Sequence, residues 1–192
     1  MVEEVLNRLI ESISAEYRRY KALAEAALEQ VPEAALSQPG PSGGNSLATI
    51  CWHVAGNLES RFTDFLLSDG EKPWRQREEE FAARHVSHAE LMAKWNRGWD
   101  VLFDTFAALT DADLAKSITI RGQALSVREA LHRSLAHTCY HVGQIVYVAH
   151  AIRGRDWRYL SIPPGQSDTY NANPTDETAE AHAKRLGSKD AT

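Results

Sequence analysis

Apolar residues recur at helical spacing through four long stretches of this chain, and no region alternates convincingly with period two. The first stretch covers roughly residues 2 to 30. Its stripe is Val5, Leu6, Leu9, Ile10, Ile13, Tyr17, Tyr20, Leu23, Ala24 and Ala27, with Glu, Arg and Lys on the other face. It stops at Val31-Pro32, and the breaker-rich run from Gln38 to Asn45 reads as a loop. The second stretch starts near Ser46, with Asn45 or Ser46 as its cap, and ends near Asp69-Gly70, where the glycine suits a helix C-terminus. The third and fourth follow capping-box sequences, Ser87-His88-Ala89-Glu90 and Ser126-Val127-Arg128-Glu129. They run to about Leu109 and Arg153, with Gly154 fitting the last C-cap. The expected fold class is all-α: four helices with long connecting loops.

Those connections leave the topology open, because segments this long either cross a bundle or turn back at one end. One spans residues 71–86 and contains Pro73 and Trp74; the other spans 110–125, where Ile118-Thr119-Ile120 suits a short extended piece. Trp157 to Ile162 is expected to pack back on the body. The last 15 or so residues are polar and lack recognisable anchors, which predicts a mobile tail. No internal repeat is present.

At 192 residues the chain suits one domain with a sizeable core, and 43% hydrophobic with 24% charged residues is ordinary globular composition. Its net charge is -5 with no long basic run, which counts against nucleic acid as the main partner. No apolar run is long enough to cross a bilayer, and Met1-Val2-Glu3-Glu4 is unlike a signal peptide, so a soluble cytoplasmic protein is expected. Two cysteines, Cys51 and Cys139, suggest reduced thiols rather than a disulfide framework.

Chemistry concentrates on three of the eight histidines: His53 in the second helical stretch, and His137 and His141 in the fourth. Residues four apart share a helix face, so His137 and His141 point the same way. Two imidazoles from one helix and one from a neighbour would hold a divalent transition metal with a position left open, as catalytic sites do. The pair lies mid-helix among Leu131, Leu135, Val142, Ile145, Val146 and Val148, where a neutral imidazole needs a partner or a metal. The alternative is two core histidines, each with its own hydrogen bond. His53 has the same bland alternative beside Trp52, but its helix carries a polar stripe through Asn57, Ser60, Arg61 and Asp64. Asn57, one turn on, is placed to contact a metal-bound water or a substrate. Gln144, three residues past His141, is placed to face the same cavity or to sit as a satisfied core amide. Arg61 and Asp64 equally suit an intrahelical pair on a solvated face. Cys51 and Cys139 each lie two residues from a histidine, a rotation of about 200°, and are expected to face away as small core residues. His85, His88, His150 and His182 read as surface residues.

Other site types are missing. There is no His-Glu-x-x-His, no phosphate-cradling glycine loop and no Gly-x-Ser-x-Gly elbow. Glu129 and His132 form one Glu-x-x-His pair, but a di-iron bundle needs a second.

The runs Cys51-Trp52-His53-Val54-Ala55-Gly56-Asn57-Leu58 and His137-Thr138-Cys139-Tyr140-His141-Val142-Gly143-Gln144-Ile145 resemble the DinB-like superfamily of bacterial damage-inducible and metal-dependent proteins. The run from Asn57 to Leu66, Ser68 to Trp74 after it, and Leu160-Ser161-Ile162-Pro163 resemble one uncharacterised branch. The resemblance covers about residues 1–165, leaving 166–192 as a polar C-terminal tail. It implies a four-helix bundle, commonly dimeric, with His53, His137 and His141 as ligands for zinc, nickel or a similar ion. Some relatives in the superfamily are thiol transferases using bacterial low-molecular-weight thiols, and others are thiol-dependent isomerases. The expected function is accordingly a metal-dependent thiol S-transferase type of activity joining a thiol to a small electrophile, with Asn57, Arg61 and Gln144 as substrate or supporting contacts. Two alternatives stand beside it: a hydrolase, and a non-catalytic metal-binding dimeric interaction protein.

Overall fold

A computed structural model describes residues 9–188. Four long helices make up most of it: α1 (Leu9–Glu29), α2 (Leu47–Phe62), α3 (His88–Ala108) and α4 (Val127–Arg153). The part of the first helical stretch before residue 9 lies outside the described residues. Two shorter helices follow, α5 (Ser167–Ala172) and α6 (Ala179–Gly187). A two-stranded antiparallel hairpin, β1 (Ser117–Ile120) and β2 (Gln123–Ser126), precedes α4, so the chain is mostly helical rather than purely so.

Helix starts follow the capping chemistry. Ser46 Oγ accepts from the Thr49 amide to open α2, and complete capping boxes open α3 (Ser87 with Glu90) and α4 (Ser126 with Glu129). Gly154, at φ 55°, closes α4 where an L-residue would be strained. Helix α2 is the central element: only Trp52 and Arg61 of its residues escape full burial. It packs on α3 and α4, while α1 packs on α4 and α6. Gly98 lets α3 approach closely, since a Cβ there would lie 2.7 Å from Ala55 Cα. Tyr17, Phe62, Trp95, Trp99 and Phe106 fill the core between the helices, with Trp95 and Trp99 rings 5.2 Å apart.

Helix α2 ends at Phe62, two turns short of the expected Asp69-Gly70, and that expectation is corrected. Thr63 leaves helical geometry, its hydroxyl donating to the Glu59 carbonyl, and Asp64 takes φ 48°. The chain then folds back over α2, where Ser60 Oγ donates 2.9 Å to the Gly70 carbonyl. Gly70 is there for closeness, not capping: a Cβ would meet Ile120 at 3.1 Å and Arg61 at 3.3 Å. The extended piece suggested around Ile118 is β1, and Arg121-Gly122, at φ 54° and 72°, make the tight turn that twisted hairpins favour. Asp69 clips that turn to the 63–75 segment, its carboxylate accepting from the Arg121, Gly122 and Glu71 amides.

Of the Trp157 to Ile162 piece, Trp157 packs back, stacked on His150 with ring centroids 5.0 Å apart, and Leu160 partly so, while Tyr159 and Ile162 stay exposed. The C-terminal segment has anchors that its polar sequence does not reveal. Helix α6 lies on α1, His182 Nε2 sits 2.9 Å from the Leu160 carbonyl, and Arg185 donates to the same carbonyl at 2.8 Å. His182 is therefore half-buried and bonded, not the free surface residue expected. No helix among the described residues is long and apolar enough to cross a membrane.

Candidate metal centre

His53 lies in the buried middle of α2, and His137 and His141 one turn apart on the facing side of α4. Their rings gather edge to face, with centroids 4.5 to 5.2 Å apart. Each offers one ligand atom, and those atoms lie within 4.8 Å of one another; no other such group of three or more occurs among the described residues. His53 Nε2 is 3.2 Å from His137 Nε2. An ion held tetrahedrally at about 2.0–2.1 Å from imidazole nitrogen keeps two such nitrogens about 3.3 Å apart, so this spacing fits one shared ion.

Hydrogen bonds on the far ring nitrogens favour the same reading. Glu80 Oε2 accepts from His53 Nδ1 at 2.9 Å, and Gln144 Oε1 accepts from His141 Nδ1 at 2.8 Å. A histidine whose Nδ1 donates keeps its Nε2 lone pair free to coordinate, and a carboxylate behind it raises its basicity. Burial pulls the His137 pKa down to about 3, helped by neighbouring His141 and His53, and burial lowers that of His141 as well. Both are therefore neutral near pH 7, as metal ligands must be.

Glu80 is the residue that sequence reasoning missed. It comes from a 3₁₀ turn, Arg77–Phe81, inside the long 71–86 connection, and that turn packs on α2. Its carboxylate is 8% exposed and is held by a two-pronged contact from Arg75, itself 3% exposed, at 2.8 and 2.9 Å. Gly56 makes the space: a Cβ there would fall 2.4 Å from Glu80 Oε1. Phe81 covers the His53 ring at a centroid distance of 4.8 Å. The only sequence signal was Gly56 one turn from His53, too common a residue to read alone.

The histidines open on a cavity of about 310 Å³. Asn57 and Arg61 both line it. Arg61 is not paired with Asp64: its guanidinium donates to the Gly70 carbonyl and to Glu71. Gln144 does not line the cavity, and supports His141 from behind instead. Phe62, Phe65 and Ile120 form an apolar wall. Ser134 Oγ, buried at the cavity edge, has no hydrogen bond of normal geometry, nor have the Thr138 and Tyr17 hydroxyls gathered behind it. Neither cysteine lines the cavity: Cys51 is wholly buried, which pushes its thiol pKa up, and Cys139 lies against Tyr20.

The stretch that carries both histidine motifs and the turn bearing Glu80 matches one family model, described as a protein of unknown function (DUF1572), over residues 4–166. The chain belongs to that family. No curated protein and no solved structure matches it. The matched span includes every residue of the centre, and stops before α5 and α6.

Proposed function

We propose that this DUF1572 protein is a metal-dependent enzyme on a DinB-like four-helix bundle, with His53, His137 and His141 holding zinc or nickel and a thiol S-transferase type of reaction in front of them. The observation that carries the reading is the convergence of three imidazole ligand atoms, within 4.8 Å of one another, on the wall of a substrate-sized cavity. Three neutral ligands leave an ion its full charge and an open position, so a bound thiol would lose its proton near pH 7.

The chain's own residues supply the rest. Glu80 and Gln144 fix the orientation of His53 and His141. Phe62, Phe65 and Ile120 exclude water from one side of the cavity. Asn57 offers hydrogen bonds to the reactants from α2.

The test is loss of an alkyl or aryl electrophile in the presence of a low-molecular-weight thiol, with protein stripped by chelator and then reloaded with zinc or nickel. Thiol-dependent turnover that disappears on stripping and returns on reloading supports the reading. Turnover without thiol would replace it with a hydrolase, and none under any loading would favour a binding protein.

A further inference from the structure

The cavity in front of the histidines is lined by five arginines, Arg61, Arg75, Arg77, Arg121 and Arg133, and by no carboxylate. This stands out in a chain whose net charge is -5. Two of the five are committed to the protein: Arg75 to Glu80, and Arg61 to the Gly70 carbonyl and Glu71. The other three reach the cavity from separate elements and are exposed: Arg77 from the 3₁₀ turn, Arg121 from the hairpin turn and Arg133 from α4. Arg77 has Glu78, an 86% exposed partner whose contact holds little. Arg121 shares the single carboxylate of Glu71 with Arg61 and Arg75. Positive charge is therefore left over along the cavity lining.

The Asp69 clip shows that this placement is built. Its contacts to the Arg121 and Gly122 amides fix the hairpin turn, which sets Ile120 and Arg121 on the cavity wall. Ser134 borders the same cavity, its hydroxyl set against those of Tyr17 and Thr138. A guanidinium matches a carboxylate or phosphate with two parallel donors, which lysine cannot do. The concave shape and volume suit a small molecule, and the arginines line one cavity rather than form the stripe that a nucleic-acid backbone needs.

We propose that the cavity selects a small molecule bearing a carboxylate or phosphate group, its oxyanion held by Arg121 and Arg133 while the remainder lies against Phe62, Phe65 and Ile120. This deepens the thiol-transfer reading of the same site by giving its reactant a charge, but anion selection itself needs no thiol.

Calorimetric titration of the full-length protein tests it with succinate, inorganic phosphate and neutral succinamide, and with the thiol pair mercaptosuccinate and 2-mercaptoethanol. Succinate or phosphate binds and succinamide does not; whichever anion binds more tightly identifies the oxyanion. Mercaptosuccinate binds more tightly than 2-mercaptoethanol, and added salt weakens the anions. Arg133→Gln and Arg121→Gln each weaken the anion roughly tenfold, the loss of one charged hydrogen-bond partner. Arg133→Lys recovers part of that, and Arg155→Gln, an exposed site outside the cavity, changes nothing. Equal binding of succinate and succinamide, binding of neither anion, or binding indifferent to both arginine variants overturns the proposal. Thiol-dependent turnover with no preference for the charged thiol would sink it and leave the proposed function standing. Selective anion binding without thiol-dependent turnover would do the reverse.

Discussion

Glu80 approaches His53 from 27 residues further along the chain, and that one contact decides how the ring is presented. Glu80→Gln keeps the size and loses the charge behind the imidazole. Metal affinity measured by competition with a chromophoric chelator should fall about 10- to 100-fold, as outer-shell replacements typically do. Gly56→Ala should act the same way by a different route, because its methyl occupies the place of the Glu80 carboxylate. It should weaken metal binding although residue 56 touches no metal. His137 sets the response to pH. Its folded pKa is pulled down to about 3 by burial, below the ordinary 6.5, so the metal-free fold keeps the ring neutral while the unfolded chain protonates it. Stability from this residue is fully present above about pH 6.5 and is lost as pH falls toward 3. Thermal unfolding of the stripped protein should show a melting temperature declining through that window, with a shallower decline in His137→Gln. The histidines were legible because helical spacing alone puts 137 and 141 on one face. Glu80 and Arg75 were not, because loop residues gain a partner only through the path of a connection that periodicity does not describe.

Among the elements, the four long helices were readable from apolar stripes and capping boxes, which are local chemistry. The end of α2 was not. Glycine at 70 imitates a C-cap in sequence, yet its role is a close approach between Arg61 and Ile120 that only the folded hairpin creates. The hairpin itself showed only as a possible extended piece, since four-residue strands carry little periodicity. Its hold on the cavity wall rests on Asp69, whose carboxylate the amides of Glu71, Gly122 and Arg121 keep well below the usual carboxylate range. Asp69→Asn should loosen the turn, and amide hydrogen exchange across residues 117–126 should quicken while the α2 and α3 amides stay protected. In the core, Trp99→Ala removes a fully buried ring touching Tyr17 and Trp95. It should destabilise the fold by about 3–5 kcal/mol in denaturant unfolding, the usual range for deleting a buried aromatic.

Across the whole molecule, the centre joins elements that are far apart in sequence: α2, the 71–86 connection and α4. The tail belongs to this scale too. Its polar sequence hides anchors because Arg185 and His182 reach a backbone carbonyl at Leu160, and a carbonyl has no signature in sequence. An ion bound only by the folded state stabilises it by mass action, so adding metal to stripped protein should raise its melting temperature. The most direct measurement is metal content by elemental mass spectrometry on protein purified without a histidine tag, beside a His137→Ala, His141→Ala double variant shown by circular dichroism to keep its helices. Near-stoichiometric zinc or nickel in the parent and none in the variant is the predicted result. Absence from both, with no uptake when zinc or nickel is added, would contradict it and leave the three imidazoles as polar core residues in a helical domain.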